Sequence, residues 1–327
     1  MSKPKVIVIC GPTASGKTSL SIELAKKING EIVSADSMQI YKDMDVGTAK
    51  TTPEEMQGIK HYLQDFVEPD KRYSVADYKV DAEKAIEEIL SKGKTPIVVG
   101  GTGLYVDSLI YGIEYQEIRF DEKYRKELED IALKDGLETL YKKAQEIDPE
   151  AMKKISCNDK KRIMRVLEIY KATGKTKTEQ EIESRKKEVK YDYKVFAIDW
   201  EREKLYKRIN KRVDIMIENG LIEEVENLLK KYKEFPTAMQ GLGYKEVVEY
   251  FDGKLTKQEM IDKIKQETRR YAKRQLTWFR KNKNIVWIDG LDDRNKNIDL
   301  IISNVNMWRV VWNWTNKRKL LKIYCLE

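Results

Sequence analysis

The chain is poor in the residues that build metal centres and nucleophilic triads. It has a single histidine, His61, which removes zinc sites built on histidine and makes Ser-His or Cys-His catalysis a poor fit. A general base is then expected to be a carboxylate. The three cysteines, Cys10, Cys157 and Cys325, lie far apart without metal-ligand spacing. That usage fits a reducing, cytoplasmic compartment without structural disulfides. No stretch approaches the roughly 20 apolar residues of a membrane span. Met1-Ser2-Lys3-Pro4-Lys5 leads straight into a β-like segment, so neither secretion nor a membrane partner is expected. Internal repeats and low-complexity linkers are missing as well.

What is present is charge and enough apolar material for a core. The 327 residues are 41% hydrophobic and 36% charged, which suits one large or two modest domains. Lys and Arg outnumber Asp and Glu by 63 to 55, a net +8, and the excess faces either a polyanion or solvent.

Four short apolar runs, Val6–Cys10, Ile32–Ser34, Pro96–Val99 and Val195–Ile198, alternate with helical patterns, and Ile285–Ile288 adds a fifth. Strands alternating with helices predict an α/β fold: a P-loop NTPase-like parallel sheet flanked by helices. Residues 115–191 carry no strand signal but dense helical patterning, as in Tyr124–Leu133 and Lys160–Lys171. An all-helical insertion is expected there, between core segments 1–114 and 192–303.

Two later helices are basic. Leu205, Ile209, Val213 and Met216 fall at helical spacing while Lys204, Arg208 and Arg212 repeat every four residues on another face. The helix over Lys257–Lys281 carries Arg269, Arg270, Lys273, Arg274 and Arg280 with Tyr271 and Trp278 interleaved. This placement favours a nucleic acid over mere solvation. In the tail, 304–327, Trp308, Trp312 and Trp314 sit among Lys317, Arg318, Lys319 and Lys322. A terminal helix packed on the core and a docking or membrane-surface segment both remain open for it.

Gly11-Pro12-Thr13-Ala14-Ser15-Gly16-Lys17-Thr18 follows the first strand and precedes the helical run Leu20–Ile28, the context that makes a P-loop pattern specific. Glycines let the backbone wrap an anion and the helix N-terminus adds free N–H donors. Lys17 supplies charge, and the Thr18 hydroxyl is placed to hold Mg²⁺. An ordinary P-loop ATPase has an acid at the end of a later strand. Here Pro96–Val99 runs into Gly100-Gly101-Thr102-Gly103, which weakens motor and switch readings and predicts close approach of a substrate's backbone. The acid expected in the crevice is Asp36, after the second strand; a turn carboxylate is its alternative role. A small-molecule or nucleotide kinase using ATP also satisfies these observations.

Together these segments resemble the tRNA dimethylallyltransferase (tRNA isopentenyltransferase) family. The likeness is carried by Gly11–Thr18, Asp36–Lys50, Val99–Tyr105, Asn158–Glu168, Gly241–Glu246 and Thr268–Arg280. It implies that the P-loop binds dimethylallyl diphosphate rather than ATP, with Mg²⁺. The implied acceptor is the adenosine 3′ of the anticodon in tRNAs reading codons that begin with U. Catalysis would fall to Asp36, Lys17, Thr18 and Arg212, with Asp36 as base and Arg212 on the diphosphate. Implied tRNA contacts are Asp36, Ser37, Met38, Gln39 and Thr102, then Arg125, Lys161, Arg162, Ile163, Met164 and Arg165 of the insertion, and Gln240, Gly241, Gly243, Tyr244 and Lys245. The insertion would grip the anticodon stem-loop, and a monomer is expected.

Overall fold

The computed structural model describes residues 3–115, 121–184 and 188–305. The tryptophan-rich tail beyond Val305 lies outside them. Six parallel strands form one sheet in the order β3-β2-β4-β1-β5-β6. The first four strands are β1 (Lys5–Cys10), β2 (Gly30–Ser34), β3 (His61–Tyr62) and β4 (Thr95–Gly100). Between and after them run α1 (Lys17–Ile28), α2 (Pro53–Met56), α3 (Val75–Ser91) and α4 (Gly103–Ile110). The chain divides into two compact units, Met1–Ile110 with Lys190–Glu327, and Tyr111–Val189.

The second unit is helical in its described residues: α5 (Glu122–Lys134), α6 (Leu137–Ile147), α7 (Pro149–Met152), α8 (Lys160–Thr173) and α9 (Lys177–Ser184). Its core joins Leu128, Leu140, Ala144, Ile163, Val166 and Leu167. Asp148 starts α7 and ties it to α9, its Oδ1 accepting Ala151 N (2.9 Å) and its Oδ2 accepting Thr178 N (2.8 Å). Asp159 caps α8 by accepting Arg162 N (3.1 Å), and Gly174, left-handed at φ 68°, ends it.

The first unit resumes with β5 (Asp192–Asp199), α10 (Arg202–Glu218), α11 (Leu221–Lys231), a 3₁₀ turn at Ala238–Gln240, α12 (Tyr244–Phe251), α13 (Lys257–Phe279), β6 (Val286–Asp289) and α14 (Arg294–Asn304). The sheet is buried on both faces, which explains its unbroken apolar runs. Ile7, Ile9, Ile32 and Ile97 pack with Leu20 and Leu24 of α1, while Val6, Val8, Val33 and Val98 pack with Ala82 and Ile86 of α3. Each fully buried aliphatic side chain of this kind contributes roughly 1.5–3 kcal/mol. The five expected strands are all present. The edge strand β3 was not expected, because two residues paired at Ile32↔His61 and Val33↔Tyr62 are too short to show a period.

Candidate functional site

At the carboxyl ends of β1, β2 and β4 the first unit holds a cavity lined by Thr13, Lys17, Thr18, Asp36, Gln39, Gly100, Gly101, Arg212, Tyr271 and Gln275, among others. Its floor is the loop after β1. Gly11, Ala14 and Gly16 take positive φ (137°, 61° and 91°), so the loop curls with its amides inward. Gly16 begins α1 with no side-chain cap and no acid in the first turn. By contrast, α3 and α13 open with capping boxes from Ser74 and Thr256. The first N–H groups of α1 are thus left to an anion. From behind, Trp200 Nε1 donates to Ser15 O (3.0 Å) and Arg208 Nε donates to Ala14 O (2.8 Å), with the Arg208 guanidinium 4.5 Å from the Trp200 ring centre.

Lys17 Nζ donates to Gly11 O (3.0 Å) and Pro12 O (2.6 Å). Burial first and the Arg212 charge second pull its pKa down to about 8, against the pull of Asp36. Burial also lowers Arg212, again opposed chiefly by Asp36. Arg212 Nη1 donates to Thr13 Oγ1 at 3.3 Å. The cavity therefore concentrates positive charge where water cannot offset it, an arrangement that favours a polyanionic ligand. The basic stripe expected on α10 divides by depth: Arg212 enters the cavity, Arg208 braces the loop, and Lys204 lies outside, paired with Glu201 at 2.8 Å.

Asp36 is the one carboxylate among the described lining residues. Its Oδ1 accepts Met38 N (2.9 Å) and Gln39 N (3.3 Å), so it is both the turn carboxylate and the acid in the crevice. Thr102 Oγ1 accepts Ser37 N at 3.0 Å and holds the same turn from β4. Tyr271 is raised to about 12 by burial and by Asp36's charge, against hydrogen bonds from Thr102 and Gln275. It keeps its proton at neutral pH and is no base. His61 also lines the cavity. Its Nδ1–H donates to Ile59 O (2.9 Å), burial lowers its pKa, and Nε2 is sealed from solvent without a partner. Asp36 is thus the lining carboxylate, half-buried and bordering the cavity.

The glycines after β4 make room for the chain's own atoms. A Cβ on Gly100 would lie 2.1 Å from Ala35 O, one on Gly101 2.2 Å from Gln275 Nε2, and one on Gly103 2.4 Å from Trp278 Cδ1. What approaches is the chain itself: the Ala35 backbone at Gly100 and the Gln275 and Trp278 side chains at Gly101 and Gly103. The residues implied as tRNA contacts differ in exposure, and burial speaks against the side chains of Ile163, Met164 and Tyr244. Ile163 and Met164 are 0% and 3% exposed in the insertion's core, because the inner face of α8 needs apolar residues. Gly241 packs on Met38, whose Cε would lie 2.6 Å from a Cβ there. Gly243 N donates to Glu246 Oε2 (2.8 Å), and Tyr244 is buried with its hydroxyl on Glu224 Oε1 (2.6 Å). Arg125 sits 3.3 Å from buried Glu168, whose charge it offsets. Exposed at the surface are Arg125 on α5, Lys161, Arg162 and Arg165 on α8, Lys245 on α12 and Gln240 before it.

Three features escaped sequence reasoning. Gln275 reaches both loops of the cavity, accepting Thr13 N (2.9 Å) and donating to Gly101 O (2.9 Å). Glu224 clamps the segment after the Asp36 turn, accepting Asp45 N (2.8 Å), Val46 N (2.7 Å) and Gly47 N (3.0 Å). On α13 and just past its end, Lys273, Arg274 and Lys281 are exposed without an acidic partner among the described residues, whereas Arg270 pairs with Glu267 and Arg280 with Asp199. The basic composition of α13 was visible beforehand; which of its cations are unpaired was not.

Residues 39–282 match the family model described as IPP transferase. A tRNA dimethylallyltransferase of Acetivibrio thermocellus is 53% identical over 93% of this chain and 96% of its own. One from Thermoanaerobacter sp. strain X514 is 50% identical over 89% and 93%. Among solved structures, the full-length tRNA isopentenylpyrophosphate transferase of Bacillus halodurans superposes with a TM-score of 0.69 at 42% identity, covering 98% of this chain and 100% of the other. A eukaryotic dimethylallyltransferase acting on tRNA gives 0.74 at 32% identity, covering 96% and 80%.

Proposed function

The chain belongs to the IPP transferase family, and on that footing we propose that it transfers the dimethylallyl group of dimethylallyl diphosphate to N6 of the adenosine 3′-adjacent to the anticodon, in tRNAs reading codons that begin with U. It is an enzyme of tRNA modification, a prenyltransferase. The observation that carries the finer reading is the cavity itself: an uncapped anion loop, two desolvated cations and a single carboxylate.

In the transfer, the N6–carbon bond forms as the carbon–oxygen bond breaks. The electron pair leaves on the diphosphate and the amine proton passes to Asp36. Charge grows on the departing diphosphate, where the loop amides, Lys17 and Arg212 act most strongly. An exocyclic amine is a weak nucleophile that must shed a proton, and a positioned carboxylate typically supplies 10²–10⁴-fold. The donor set fits magnesium: the Thr18 hydroxyl faces the cavity, and no cluster of three His, Cys, Asp or Glu exists among the described residues to cage a metal. Magnesium takes few protein ligands and relies on substrate phosphates and water; bound there, it would neutralise the diphosphate.

A stacked adenine must be extruded to reach Asp36, which costs a few kcal/mol. Phosphate contacts offset this, from Lys161, Arg162 and Arg165 on the insertion and from Lys273 and Arg274 on α13 with Lys281 just past its end. Gln39, Thr102, Gln240 and Lys245 complete the proposed contacts. The protein acts as a monomer in the cytoplasm, where its tRNA is. A kinase reading is not favoured, since β4 ends in Gly100 with no acid for a nucleotide's metal. Incubation with unmodified tRNA, Mg²⁺ and labelled dimethylallyl diphosphate, followed by nuclease digestion, tests the reading. Label is expected in the nucleoside 3′ of the anticodon; label elsewhere or none overturns it.

A further inference from the structure

We infer that Gln275 is a positioning residue that fixes the spacing between the anion loop and the turn after β4, and so between leaving group and nucleophile; this rests on the function proposed above. Gln275 is only 5% exposed, near the C-terminal end of α13. Its carboxamide uses both ends: Oε1 takes the Thr13 N–H (2.9 Å) and Nε2 gives to Gly101 O (2.9 Å). Thr13 belongs to the anion loop and its hydroxyl accepts from Arg212. Gly101 leads into Thr102, which holds the Asp36 turn through Ser37 N. Tyr271, one turn earlier on the same helix, lines the cavity beside Gln275. One side chain thus spans from the diphosphate side of the cavity to the base side.

The chemistry makes that span matter. The amine must meet the allylic carbon opposite the departing oxygen, and a misplacement of about 1 Å costs on the order of 10²-fold. Only a primary carboxamide satisfies both partners. Glutamate has no N–H for Gly101 O, and methionine has neither function. From the other side, a Cβ on Gly101 would sit 2.2 Å from Nε2, so alanine there displaces the amide.

The test compares Gln275→Met, Gly101→Ala and the double variant with the wild-type chain, measuring single-turnover rate, KM for tRNA and for dimethylallyl diphosphate, and the melting temperature. Each single change is expected to lower kcat by about 10²-fold. Each KM should stay within about threefold. The double variant should be no slower than the slower single one, since both break one bridge. A folded Gln275→Met or Gly101→Ala with kcat near wild type overturns the inference. So does a rise in either KM at unchanged kcat, or a double loss equal to the product of the singles. Should Gln275→Met fail to fold, Gly101→Ala, which keeps Gln275, decides by the same criteria. An inactive wild-type chain would instead refute the proposed function.

Discussion

The cavity and the insertion both present cations, and the fold treats them in opposite ways. Lys17 and Arg212 are stripped of water, pulled down in pKa by burial, and opposed by Asp36 alone among the lining carboxylates. Arg162 stays exposed and meets Asp159 within its own helical turn at 3.3 Å, and Arg125 lies between Glu129 (3.8 Å) and Glu168 (3.3 Å). The exposed pairs, Arg162 with Asp159 and Arg125 with Glu129, are worth about 0–1 kcal/mol and exchange readily for phosphate, whereas buried Glu168 holds on to Arg125. On the proposed function, the cavity holds one small anion tightly and the insertion surface a long polyanion loosely.

The largest effect should come from removing the base while keeping its turn. Asp36→Asn still offers an oxygen to Met38 N and Gln39 N but takes no proton. Its turnover should fall by about 10²–10⁴-fold with tRNA affinity little changed; full turnover would remove Asp36 from the mechanism. Next comes pH. Because Lys17 is lowered from 10.5 to about 8, the unfolded chain binds more protons between those values, and the stability of the ligand-free protein should rise across that window. Diphosphate needs the ammonium, so donor affinity should be flat below pH 8 and weaken above it, by up to about tenfold per pH unit. Lys17→Arg should flatten that profile; an unaltered profile would contradict the account.

On the insertion, Arg162→Gln with Arg165→Gln should reduce the salt slope of tRNA binding by about 1.5. An unchanged slope would count against an RNA-binding role for this unit. Smallest of all, Ile163→Val should cost roughly 0.5–1.5 kcal/mol of stability, read as a lower denaturant midpoint, and leave the slope alone. Weaker tRNA binding by the folded variant at fixed salt would restore Ile163 as a contact.

What was legible beforehand was what lies contiguous in the chain. The anion loop is eight consecutive residues between a strand and a helix, and Asp36 follows a strand whose end must face the same crevice. Gln275, Tyr271 and Glu224 gave no such signal, because they reach the site from helices more than 170 residues away and only packing brings them in. The glycines after β4 were visible but ambiguous: lack of a Cβ signals a close neighbour without saying whether it is substrate or the chain itself. Ile163 and Met164 show a related limit. A motif spanning consecutive helical residues includes both faces, and only the outer one, with Lys161, Arg162 and Arg165, is available to RNA.

The central claim is that the anion loop holds the diphosphate of an allylic donor and not a nucleoside triphosphate. Binding of dimethylallyl diphosphate in the presence of Mg²⁺, measured by calorimetry with and without a large excess of ATP, tests it most directly. The account predicts donor binding that ATP scarcely displaces and that Lys17→Met abolishes. Tight ATP binding, with the allylic diphosphate ignored, would contradict it.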